Sequence, residues 1–285
     1  MDAIEPDSTA AEDGGLRASL RAIWASVAPS WGELAEHVDT QGAVVAQAML
    51  DAAGLESGER VLELACGPGG VGIAAAAIVG PGGAVVLSDI APEMTAIAAE
   101  RAKRAGFTNV TTREVDLERI DYPEAAFDKV LCREGLMLVP DPERAVSEIQ
   151  RVLRPGGRWA VSVWGPRGRN PWLGLVLDAV SEQVGMQIPP PGVPGPFSLD
   201  SVQALSAVLD GAEVEEVPVP LHADSVEDWS SRVGDLAGPL AAMLHAMDPE
   251  TAAELQRRFE QAAQPYLTDA GLTFPGVALL ASGRR

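Results

Sequence analysis

The stretch 61-VLELACGPGGVG-72 decides how this chain is read. VLEL is a run of strand-forming residues that feeds straight into glycines and then an alanine-rich segment, the pattern of a strand turning into a helix. Gly67, Gly69 and Gly72 fit G-x-G-x-x-G, and Asp89 follows at the distance where a dinucleotide fingerprint places its acidic residue. That fingerprint serves a pyrophosphate, which is met by backbone N–H groups and a helix N-terminus. Glu63, just ahead of the glycines, is a poor neighbour for such an anion. It suits a cation or an ammonium group instead.

Outward from this stretch the chain alternates strand and helix. RVLELA (60–65), AVVLSD (84–89), VTTREV (110–115), FDKVLC (127–132) and RWAVSVW (158–164) read as five parallel strands with crossover helices. Ligands of open α/β sheets sit at the carboxyl ends of the strands. There Glu63, Asp89 and Asp116 line up at the ends of the first three. Beyond Trp164 come a helix (171–186), a Pro/Gly-rich connector IPPPGVPGPF (188–197), a helix carrying Leu199, Val202, Leu205 and Leu209, and a strand-like EVEEVPVPL (213–221). A helical block from 224 to 270 opens with a capping-box pattern, Ser225 to Asp228, and the strand GVALLASG (276–283) closes the chain.

Composition narrows the partners. Lys plus Arg is 21 and Asp plus Glu is 41, a formal net charge of -20, which repels a phosphate backbone, so nucleic acid is not expected as a partner. The basic clusters Arg101-Ala102-Lys103-Arg104 and Arg257-Arg258 read as solvated helix faces. The first fifteen residues are acidic and polar, without the apolar core of a signal peptide, and no apolar run approaches the length of a membrane span; a cytoplasmic protein is expected. Cys66 and Cys132 lack metal-ligand spacing and read as reduced, structural residues, so no metal site is expected.

Several ordered segments together, VLELACGPGG, LSDIAPEM, EVDLERIDYPEAAFDKVLC and EIQRVLRPGGRWAVSVW, resemble the class I S-adenosylmethionine-dependent methyltransferases. The likeness is to the small-molecule branch similar to the ubiquinone/menaquinone C-methyltransferases, and it covers about residues 55 to 165. It implies a Rossmann-like α/β fold: a seven-stranded, mostly parallel sheet of order 3-2-1-4-5-7-6, the last strand antiparallel, with helices on both faces and an added helical lid. S-adenosylmethionine is the implied cofactor. Glu63, Gly67 and Gly69 would cradle its methionyl part, Asp89 and Ile90 its ribose and adenine face, and Asp116 with Leu117 its adenine edge. Ala65, Cys66, Met94 and Arg133 would border it. Ala65 departs from the family, which usually has glycine there.

The resulting organisation is a disordered acidic tail (1–15), an N-terminal helical cover (16–54), a cofactor-binding core (55–165), a connector with helix and sixth strand (166–223), a helical lid insertion (224–271) and the last strand (272–285). The expected activity is methyl transfer to a mostly apolar or aromatic small molecule, at oxygen or carbon before nitrogen. The alternatives are an NAD(P)-dependent oxidoreductase, from the literal glycine spelling, and a non-catalytic S-adenosylmethionine-binding protein. A base is needed only if the acceptor arrives protonated, and His37 and Glu134 are the candidates. Trp31, Met137, Trp164 and Trp229 are the candidate walls of the acceptor pocket. A homodimer is left open.

Overall fold

The computed structural model describes residues 8–285. Its strands are β1 (Arg60–Leu64), β2 (Ala84–Asp89), β3 (Val110–Glu114), β4 (Phe127–Arg133), β5 (Leu153–Trp164), β6 (Glu213–Pro218), β7 (Leu221–Ala223), β8 (Leu267–Thr268), β9 (Gly271–Phe274) and β10 (Val277–Arg284). The helices are α1 (Ser8–Glu33), α2 (Ala35–Gln41), α3 (Ala43–Ala53), α4 (Gly70–Val79), α5 (Pro92–Arg104), α6 (Pro142–Val152), α7 (Pro171–Val184), α8 (Val202–Val208), α9 (Val226–Leu236), α10 (Pro239–His245) and α11 (Pro249–Ala263). Among these residues seven strands form one sheet in the order β3-β2-β1-β4-β5-β10-β6. β1 through β5 are parallel and β10 runs antiparallel to both its neighbours, as the resemblance implied.

Side-chain alternation along β1 sorts the two faces. Val61 packs with Val45, Met49, Val71 and Ala75 under α3 and α4, whereas Leu62 and Leu64 join Ile149, Val152 and Trp159 on the face covered by α6. Glu63 therefore points to the α4 side. The sheet order sets the ends of β1, β2 and β4 side by side, with Glu63 opposite Leu87 and Leu64 opposite Cys132.

The cover and the lid depart from the expected outlines. α1 begins at Ser8, inside the stretch expected to be a tail, where alanines favour helix; residues 1–7 of that stretch lie outside the described residues. The block 224–271 is not all helix. β8 and β9 form a hairpin whose strand β9 also pairs with β7, and the turn is closed by Gly271 at φ +106, where a Cβ would sit 2.5 Å from the Ala223 carbonyl oxygen. With α7, α9 and α11 this small sheet encloses its own core. Trp229 is fully buried there, 5.8 Å from the Phe259 ring and 4.8 Å from that of Phe274. α9 starts at the expected cap, the Asp228 N–H donating to Ser225 Oγ at 3.1 Å.

α1 crosses above the strand ends. Val27 and Ala28 pack on Ala91 and Met94 of the core and on Ala241 of α10. Among the described residues no helix is long and apolar enough to cross a membrane.

Candidate functional site

A cavity of about 120 Å³ lies under α1 at the carboxyl ends of the central strands. Glu63, Ala65, Cys66, Gly67, Asp89, Ile90, Met94, Asp116, Leu117 and Arg133 all border it. Of the residues expected around a cofactor, Gly69 alone does not. Its role is structural: at φ +84 it starts α4, and a Cβ there would meet Leu87 Cδ1 at 2.9 Å and Ala98 Cβ at 3.0 Å.

The glycine loop is held by carboxylates. Glu63 is 2% exposed, and its Oε2 accepts the Gly72 N–H at 2.9 Å. Gly72 is required for that approach, because a Cβ would stand 2.4 Å from Glu63 Oε2. Asp39 of α2 presses on the same helix end: a Cβ on Gly70 would sit 1.9 Å from its Oδ1. Arg101 pins the arrangement, donating to the Pro68 carbonyl at 2.6 Å and to Asp39. Arg101 is thus a clamp on the loop and not the solvated charge expected. Two carboxylates already occupy the α4 N-terminus, where a dinucleotide's pyrophosphate would have to bind.

Burial raises the Glu63 carboxyl to about 8, with Arg133 and the Gly72 N–H pulling the other way. Asp89 is also pushed up by burial, against the N–H groups of Ala91, Gly67 and Ile90. Its Oδ2 accepts from Gly67 at 3.0 Å and its Oδ1 from Ala91 at 3.0 Å. Each oxygen keeps a lone pair for a guest. Asp116 Oδ1 accepts from the Glu118 N–H at 2.9 Å and its Oδ2 lies 3.6 Å from Arg17 Nε.

Ala65 and Glu134 carry a second signal. They end adjacent strands, both border the cavity, and both have positive φ, +48 and +56, a region unfavourable for residues with a Cβ. The left-handed backbone at Ala65 is the physical reason a glycine suits that position. Gly135 lets the two turns touch, since a Cβ there would be 2.5 Å from that of Ala65.

Other expectations move elsewhere. Trp31 borders the cavity, its ring 3.7 Å from where a Gly67 Cβ would be and its Nε1–H donating to the Leu236 carbonyl at 3.1 Å. Met137, Trp164 and Trp229 do not border it. Met137 is buried in the α6-side core with its Sδ against the Trp164 amide, Trp164 packs edge-on against Trp172 at 5.0 Å, and Trp229 belongs to the lid core. They join layers together. His37 also lies away from the cavity, its Nδ1 3.1 Å from Arg232 Nη1, and burial with that arginine lowers its pKa.

The cavity also has walls the sequence reading missed: Arg17, Leu20 and Trp24 from α1, Glu118, and Leu138 to Pro140. Glu118 is 1% exposed, with Oε2 accepting from Arg17 Nε at 2.7 Å and Oε1 from the Asp141 N–H at 2.7 Å. The signal was present, since residues 17, 20, 24, 28 and 31 form a single helical stripe.

Residues 55–174 match the model of a methyltransferase domain. An uncharacterised protein of Mycobacterium tuberculosis is 28% identical across 98% of this chain and 99% of its own. The ubiquinone/menaquinone biosynthesis C-methyltransferase of Ectopseudomonas mendocina is 38% identical, over 46% of this chain and 52% of its own length. In fold, the chain is similar to the YcgJ protein of Bacillus subtilis, with a TM-score of 0.56 at 19% identity over 84% of this chain and 97% of that one. It is also similar to the [4+2]-cyclase SpnF, with a TM-score of 0.50 at 22% identity over 85% of this chain and 79% of that one.

Proposed function

We propose that this class I S-adenosylmethionine-dependent methyltransferase, which resembles the ubiquinone/menaquinone C-methyltransferases, acts on a mostly apolar or aromatic small molecule that binds beneath α1, at oxygen or carbon before nitrogen. The observation that carries the reading is the composition of the cavity: acidic side chains on its floor at three strand ends, and Leu20, Trp24, Trp31, Leu138 and Val139 around them.

The residues fit the cofactor by chemistry. Glu63 gives the methionyl ammonium a buried carboxyl, and Gly67 brings bare backbone beside it. Asp89, fixed by two backbone N–H groups, accepts from the ribose hydroxyls. Ile90 and Leu117 present apolar surface to the adenine, with Asp116 at its edge. When bound, S-adenosylmethionine supplies a methyl group on a sulfonium. The protein's part is to align an acceptor with that methyl and keep water out, which α1 does by roofing the strand ends with two tryptophans.

Calorimetric titration with S-adenosylhomocysteine tests the cofactor half, with micromolar affinity expected and no binding at millimolar ligand overturning it. Screening small-molecule acceptors with a labelled methyl donor tests the other half. The dinucleotide reading predicts enhanced NADH fluorescence; Glu63 and Asp39 at the start of α4 speak against it. The same fold carries a [4+2]-cyclase, so transfer of label is the measurement that separates an enzyme from a protein that only binds the cofactor.

A further inference from the structure

Five carboxylates border the cavity among the described residues: Glu63, Asp89, Asp116, Glu118 and Glu134. Four of them hold the protein's own N–H groups. Glu134 differs. Its Oε1 is closed off from solvent and has no hydrogen-bond partner, and its Oε2 is 4.0 Å from Arg133 Nε. An unpartnered buried carboxylate oxygen is costly, and the strained φ of +56 that directs this side chain adds to the cost. The backbone is committed to that geometry, with the Glu134 N–H donating to the Ser162 carbonyl at 2.8 Å. Oε1 itself is not open to the cavity as it stands, so a donor completes it only when the lining moves to admit one.

We propose that Glu134 is the general base for methyl transfer and that the acceptor is an aromatic hydroxyl that arrives protonated. The inference rests on the reading of the cavity as a methyltransferase site. In the step, a lone pair of the hydroxyl oxygen forms the new bond to the methyl carbon. The carbon–sulfur bond breaks with its electron pair left on sulfur, giving S-adenosylhomocysteine. The hydroxyl proton passes to the Glu134 carboxylate and later to solvent. Arg133, its side chain 10% exposed beside Glu134, stabilises the negative charge that develops on a phenolic oxygen. Trp24 and Trp31 supply aromatic faces for the ring. Burial also pushes the Glu134 carboxyl up, against the opposing pull of Arg133, and a raised carboxyl is the stronger base.

The test compares wild type with Glu134→Gln, which keeps the shape of the side chain, on two simple phenols with labelled methyl donor at about pH 8. 4-Methylphenol is protonated there, and 4-nitrophenol is largely ionised. The variant is expected to lose about 100-fold in rate on 4-methylphenol and less than about 5-fold on 4-nitrophenol. Its melting temperature and its affinity for S-adenosylhomocysteine should be unchanged. The affinity of the S-adenosylhomocysteine-loaded protein for 4-methylphenol should fall about 10-fold. Equal losses on the two phenols, no loss on either, or a wild type that methylates amines and no phenol would overturn the proposal. A drop in S-adenosylhomocysteine affinity matching the drop in rate would assign Glu134 to the methionyl ammonium instead. If wild type binds no S-adenosylhomocysteine, the underlying reading of the site has failed, and the calorimetry distinguishes that from failure of the base.

Discussion

At Glu63 one side chain links fold, cofactor and pH. Its carboxyl is raised to about 8 from an ordinary 4.5, chiefly by burial. The native state therefore holds a proton that the unfolded chain has released between those two values, so this group's contribution to stability falls as pH rises through that window. An ammonium beside it favours the ionised form. Cofactor binding then expels the proton, and affinity for S-adenosylhomocysteine should climb with pH, approaching tenfold per unit below 8 and levelling above. Titrations at several pH values, repeated in buffers of different ionisation enthalpy, measure both the slope and the released proton. Glu63→Gln should bind more weakly with a nearly flat profile; a flat profile in wild type would show that Glu63 does not meet the ammonium.

The junction of β1 with α4 is the element on which the whole site is built, and it is packed without slack. An alanine at 72 would put its Cβ 2.1 Å from Leu87 Cδ2 and 2.4 Å from Glu63 Oε2. Gly72→Ala should destabilise the protein by about 2 to 3 kcal/mol, through overpacking and the lost Glu63 hydrogen bond. Urea denaturation measures this, and a change under about 0.5 kcal/mol would mean that the helix start can move aside. This junction was legible in the sequence because its residues are contiguous: VLEL, the glycines and the acid among them have only one local solution. The strand and helix rhythm made the five parallel strands legible, whereas the order of all seven, with β10 inserted antiparallel, was implied only by the family resemblance. The hairpin of β8 and β9 was not legible. Strands of two and four residues leave no periodicity, and the block from 224 to 270 read as helical throughout. Met137, Trp164 and Trp229 show the other limit, since an apolar residue announces burial but not which core will bury it.

On the scale of the molecule, α1 is shared between two bodies. It is tied to the core through Arg17 with Glu118 and through Arg21 with Glu114, and to the lid through Trp31 with the Leu236 carbonyl. Gly238, at φ +44 before α10, admits the Trp24 ring, which would stand 3.1 Å from a Cβ there. The cavity so enclosed, about 120 Å³, is smaller than the roughly 300–1,000 Å³ of common ligand sites. Entry of a cofactor and an acceptor is therefore expected to lift α1 from the strand ends, with Leu20, Trp24 and Trp31 closing on them once they are bound. Hydrogen exchange along α1 is expected to be faster than in β1 and β4 without ligand, because opening α1 leaves the sheet intact. Saturating S-adenosylhomocysteine should slow exchange in α1 and in the loop before α4 together, and at 100 times its Kd should raise overall stability by about 2.7 kcal/mol. Arg17→Ala, which removes the tie to Glu118, should speed exchange in α1 while leaving β1 unchanged. Equal exchange in α1 with and without ligand would mean that the helix is a fixed roof and that ligands enter by another side.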